Sequence, residues 1–227
     1  MYFSADFSDT QSSLVERFEA FIRDAAFPCV GAKSALAREG MAIFVAEDIR
    51  CPRDDVGLYG ALRDFSRSYA ENPKPFQSFV ALFDTAEVLS EAAFERTLWQ
   101  RVQALEALDA ASGFAYDPSV SPNTDDRDFS LSFGGEGFFL VGLHPGASRP
   151  ARRFEVPALV FNPHGQFETL RHEGRYETLR ERIIERDVAL SGSANPMLAR
   201  HGEVSEARQY SGRTVGSDWV CPFKTMR

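Results

Sequence analysis

The chain is poor in the residues that build metal sites and disulfide frameworks. Of its 227 residues, four are histidine and three are cysteine. Cys29, Cys51 and Cys221 form no paired framework, so a reduced, cytoplasmic setting is the default expectation. No Cys-x-x-Cys or His-Glu-x-x-His spacing occurs, which argues against a structural zinc site. No apolar run approaches the roughly 20 residues that a membrane helix needs. The first ten residues carry Asp6 and Asp9 and no basic segment, unlike a secretory signal. Positive charge is also in short supply: 25 basic against 33 acidic residues leave a net charge of −8. Nucleic acid and anionic membranes attract basic surfaces, so neither is expected as a partner, although a local basic pocket stays open. Phosphate-loop and nucleophile-elbow motifs are missing too. Gly134-Gly135-Glu136-Gly137 lacks both the Gly-x-Gly-x-x-Gly spacing and a Walker lysine. It lies inside strand pattern, where a bulge or a close backbone approach is expected. No Gly-x-Ser-x-Gly occurs.

What is present is an ordinary apolar share, 44%, with 20 phenylalanines, enough for a sizeable core. Leu14, Phe18, Phe21 and Ile22 follow Asp9-Thr10 at helical spacing. Helical spacing recurs over residues 54–69 (Leu58, Leu62, Phe65) and 90–108 (Phe94, Leu98, Val102, Leu105). Strands are expected at 41–45 and 76–83, and a hairpin at 129–143 and 154–162. Residues 112–128 read as a polar surface loop, and 167–188 as helix interrupted near Gly174. The last forty residues are weakly patterned. Helices and strands mix without a regular βαβ rhythm, and no linker separates two units. The expectation is one α+β domain over 1–227, with a mixed or antiparallel sheet flanked by helices.

The candidate chemistry lies on the hairpin. His144 and His164 sit twenty positions apart at its two ends, with Arg149, Arg152 and Arg153 between them. Imidazole is a common transition-metal ligand, and arginines beside it can hold carboxylates or phosphates. The plainer reading is two turn histidines and a solvated loop whose arginines meet Glu155 or other acids. Cys29 and Cys221 each adjoin a proline and aromatics; either is a small buried hydrophobe or, for Cys29, a thiolate ligand. His172 and His201 fall in charged stretches and read as structural or solvated.

In order along the chain, several blocks resemble the YqcI/YcgG family. They are Phe27-Pro28-Cys29 with Gly31 to Leu36, Phe133-Gly134-Gly135-Glu136, Arg152-Arg153-Phe154 through Phe161-Asn162-Pro163-His164-Gly165-Gln166-Phe167-Glu168, and Cys221-Pro222-Phe223. His144-Pro145 and Asn162-Pro163-His164 resemble the branch that contains the guanitoxin-pathway N-hydroxylase. Arginine-hydroxylating proteins of cycloserine-type pathways look like wider relatives. The resemblance implies a heme-dependent oxygenase that hydroxylates a guanidine nitrogen of an arginine-like substrate. Heme b, dioxygen and an electron donor would take part, and a homodimer is compatible with it. Under this reading His144 is the first choice of axial ligand, with His164 or Cys29 as alternatives. Arg149, Arg152 and Arg153 become propionate partners, and Glu136 and Glu168 the carboxylates that meet a cationic substrate. The competing readings are a non-heme iron oxygenase using His144, His164 and Glu168, and a non-catalytic heme-binding or sensor protein.

Overall fold

A computed structural model describes residues 8–85, 87–199 and 202–227. The expectations for His201 and for the segment before Ser8 fall outside them. Five strands form one sheet: β1 (Met41–Ala46), β2 (Ser78–Phe83), β3 (Leu131–Phe133), β4 (Glu136–Leu143) and β5 (Ala158–Pro163). Their spatial order is β1-β2-β5-β4-β3. β1 and β2 run parallel, and every other pairing is antiparallel. The parallel pair needs a crossover, which α3 (Asp55–Glu71) supplies. The mixed sheet flanked by helices is the α+β domain that the sequence pattern implies.

Strand alternation sends successive side chains to opposite faces. On one face Phe79, Ala81, Phe138, Leu140, Leu159 and Phe161 pack against α3 and α4 (Glu91–Ala111). On the other, Met41, Ile43, Val80, Leu82 and Leu143 meet α1 (Asp9–Arg23), through Leu14, Phe18 and Ile22. α1 begins at a capping box, in which Ser8 and Gln11 bond each other's backbone N–H. The second face is completed by α2 (Val30–Ala37), α5 (His164–His172) and α6 (Tyr176–Ser191). No helix among the described residues is long and apolar enough to cross a membrane.

Three local outcomes differ from the sequence expectation. Gly134 and Gly135, at φ 60° and 82°, form the two-residue turn between β3 and β4. Two consecutive positive φ values suit a hairpin turn, so the expected bulge is a chain reversal and the expected long strand is two. β2 starts at Ser78 instead of residue 76, because Phe76 sits in the left-handed region at φ 63°. The weakly patterned tail contains α7 (Ala207–Tyr210) and then crosses α4, where Arg227 reaches the buried carboxylates of Glu106 and Asp109.

Candidate functional site

β3 is too short to pair with all of β4, which leaves the edge of residues 139–143 without a strand partner. α7 covers that edge, with Tyr210 packed edge-on to Phe139 at 5.3 Å. Arg152 fastens the cover. Its Nη1 donates to the carbonyls of Gly142 (3.0 Å) and Tyr210 (3.1 Å), and its Nη2 to that of Gln209 (3.0 Å). Such a staple satisfies carbonyls that an open edge would leave unpaired.

Beside this staple the second face of the sheet does not fill. A cavity of about 330 Å³ lies between the sheet, α1, the start of α2, α5 and α6. That is at the low end of the roughly 300–1,000 Å³ range of ligand pockets. Its walls are mostly apolar: Phe18 and Ile22 from α1, Phe139, Val141 and Val160 from the sheet, and Leu179, Ile183 and Ile184 from α6. Phe76, which with Glu39 is one of two non-glycine residues at positive φ among the described residues, also borders it.

Cys29 supplies a thiol to this wall. It is the N-cap of α2, and its Sγ accepts the N–H of Ala32 at 3.4 Å. Sulfur is a weak acceptor, so a thiol caps less well than the usual serine or aspartate. Burial pushes the Cys29 thiol upward, while the N–H groups of Ala32 and Gly31 and the charge of Arg152 pull the other way. Burial also lowers the Arg152 guanidinium to about 10, so it stays charged at neutral pH.

α6 roofs the cavity. In a helix dense in exposed charge, Asp187 is the buried residue. Its Oδ2 accepts from Arg149 Nη2 at 2.5 Å, and Arg149 also donates to the carbonyl of Ser193. A second tie runs from Arg186 to the carbonyls of Ala25 and Phe27.

The structure separates the two histidines. Ala158 pairs with Leu143 and Pro163 with Phe138, so the position facing His164 is Gly137, seven residues before His144. At about 3.3 Å per residue the two lie about 23 Å apart along the hairpin. Neither lines the cavity. A shared iron site made of His144, His164 and Glu168 is therefore ruled out by the strand pairing.

His144 is 1% exposed and stacks on Phe94 of α4, with ring centroids 4.2 Å apart. Burial lowers its imidazole to about 4, against a smaller opposing pull from Glu91. It is a neutral core side chain, and its Nδ1 has no hydrogen-bond partner among the described residues. His164 is the first residue of α5 and not a turn residue. It lies between Ser130 Oγ (3.4 Å from Nδ1) and Glu168 Oε1 (3.1 Å from Nε2), and Arg171 pairs with the same carboxylate.

The remaining candidates divide in the same way. Arg149 and Arg152 line the cavity. Arg153 does not; it braces its own loop through the carbonyls of Ala147 and Ser148. Glu136 lies at the β3–β4 turn and Glu168 on α5, both off the cavity. Burial, then the nearby Asp117, pushes the Glu136 carboxyl upward. The carboxylates in the cavity wall are Asp187 and Glu206, which sequence reasoning missed. A signal existed: Tyr176, Leu179, Ile183 and Asp187 fall at helical spacing in an otherwise charged segment.

No curated protein and no solved structure matches the chain. The family model that does match, over residues 18–224, spans every residue lining the cavity, and the chain belongs to the YqcI/YcgG family.

Proposed function

We propose that this chain is a heme-dependent oxygenase that hydroxylates a guanidine nitrogen, with dioxygen as co-substrate and electrons from a separate donor. The observation that carries the reading is the apolar cavity with the Cys29 thiol and the Arg152 guanidinium in its wall. Family membership and the likeness of the His144-Pro145 and Asn162-Pro163-His164 blocks to the guanidine-oxidising branch support it.

The donor set fits such a cofactor: one thiol, apolar walls and half-buried arginines. A porphyrin takes more room than about 330 Å³, so seating one would require α6, which buries little of itself, to shift outward. Cys29 Sγ would hold the iron, in place of His144 and His164. When bound, the heme supplies activation of dioxygen, and a thiolate ligand favours oxygen–oxygen cleavage.

This chain's own groups do the rest. The N–H groups of Ala32 and Gly31 and the Arg152 charge partly offset the burial that keeps Cys29 a thiol. Arg149 and Arg152 are the arginines placed to meet propionates. The carboxylates in reach of a cationic substrate in the cavity would be Asp187, already paired with Arg149, and Glu206, rather than Glu136 and Glu168. A seated ligand would displace water from the apolar walls, which would strengthen each of these charge interactions.

The test is the absorption spectrum of the protein as purified, or after addition of hemin. A Soret band that shifts with carbon monoxide, and turnover of an arginine-like substrate with dioxygen and a reductant, are expected. A colourless protein that takes up no hemin removes the reading. Heme uptake without turnover reduces it to a heme-binding protein.

A further inference from the structure

The charges on the cavity wall do not balance. Arg149, Arg152 and Arg180 face it, against Asp187 and Glu206. Asp187 is neutralised by Arg149, and Glu206 is also engaged. Arg152 meets three backbone carbonyls and no carboxylate among the described residues. Arg180, half-buried on α6, has no ion pair among the described residues. Two cations thus border an apolar cavity in a chain whose net charge is −8.

The donor geometry of Arg152 says more. A guanidinium carries five N–H groups. Both on Nη1 and one on Nη2 are used by carbonyls. Among the described residues the Nε–H and one Nη2–H have no acceptor, and an Nε–H with its neighbouring Nη2–H is the side-on fork that takes a carboxylate through parallel bonds.

We propose that the cavity binds a ligand carrying a carboxylate on an apolar body, with the Arg152 fork as its anchor and Arg180 as a second cation. The apolar body replaces the missing packing between the sheet and the inner face of α6. The carboxylate satisfies guanidinium donors that the fold leaves open. This chemistry is shared by a porphyrin propionate and by a free apolar acid. The inference rests on the cavity and not on the heme reading.

The experiment measures binding of a fluorescent polyene fatty acid and of its methyl ester, and of hemin and its dimethyl ester, to the full chain. The free acid is expected to bind at least tenfold more tightly than the ester, which keeps the body and removes the charge. Arg152→Lys keeps the charge but loses the fork, and is expected to remove most of that preference. Because Arg152 also staples α7, Arg180→Gln on the outer helix is the second variant. It is expected to weaken the acid by roughly threefold to tenfold and the ester little. Preference for the fatty acid without hemin uptake supports this inference and removes the heme reading. Preference for hemin over its diester supports both. Equal binding of acid and ester in both pairs, or acid affinities unmoved by both variants, overturns the inference.

Discussion

Replacing Asp187 by alanine should loosen α6 without unfolding the sheet. Its carboxylate is 11% exposed and accepts from Arg149, itself 12% exposed, at 2.5 Å; Ser191 Oγ donates to the other oxygen at 3.3 Å. Breaking a fully buried ion pair from one side costs about 3–5 kcal/mol. This pair borders a cavity that water can enter, and Arg149 keeps the Ser193 carbonyl, so about 2–3 kcal/mol is the expectation. Asp187 is the buried residue of α6, whereas every residue of β2 is buried. The loss should therefore be local. Native-state hydrogen exchange reads it directly: amides of α6 should lose protection by roughly 30- to 150-fold, while those of β2 and β5 stay near wild type. Arg149→Ala should give a similar pattern, and the double variant little more than either single one. Unchanged exchange in α6, or an equal loss in α6 and the sheet, would refute the reasoning.

His144 should make the fold acid-sensitive. Its folded value of about 4 lies below the ordinary 6.5, so the unfolded chain takes up the proton first. The stability it contributes is fully present above pH 6.5 and is lost as the pH falls toward 4, on the order of 3 kcal/mol in all. His144→Gln should flatten denaturation midpoints across that window, and an unaltered slope would count against a neutral buried imidazole. Gly142→Ala tests the other face. A Cβ there would stand 2.8 Å from Phe94 and 2.9 Å from Leu98, so overpacking should cost about 1–3 kcal/mol in chemical denaturation. A neutral result would show that α4 moves aside freely.

Much of the frame was legible because its signals are local and periodic. α1, α3 and α4 follow apolar residues three and four apart, and the helical break near Gly174 falls where the chain takes φ 68°. α2 was hidden: Val30 to Ala37 is small and only weakly amphipathic, and a cysteine caps it instead of a serine or aspartate. The tail was hidden because what orders it is remote. Arg227 bonds Glu106, Asp109 and the Ser132 carbonyl, groups that no short-range pattern connects. For the same reason no local pattern marks Glu106 and Asp109 as fully buried.

The site was half legible. Cys29 and the arginine block were visible as types, but which of them share a wall depends on how α2, α6 and the hairpin meet. The separation of the histidines was visible in principle. Two residues that each follow a strand of one antiparallel hairpin end up at opposite ends of its strands. Their nearness in a short sequence drew attention, and the strand direction undoes it.

The most direct test of the central claim is the spectrum of the hemin-loaded protein in three forms: wild type, Cys29→Ser and His144→Ala. Cys29 faces the cavity, while His144 is stacked on Phe94 outside it. Loss or displacement of the Soret band in Cys29→Ser, with His144→Ala retaining the wild-type band, is the predicted result. A spectrum unchanged in Cys29→Ser but abolished in His144→Ala would contradict the account.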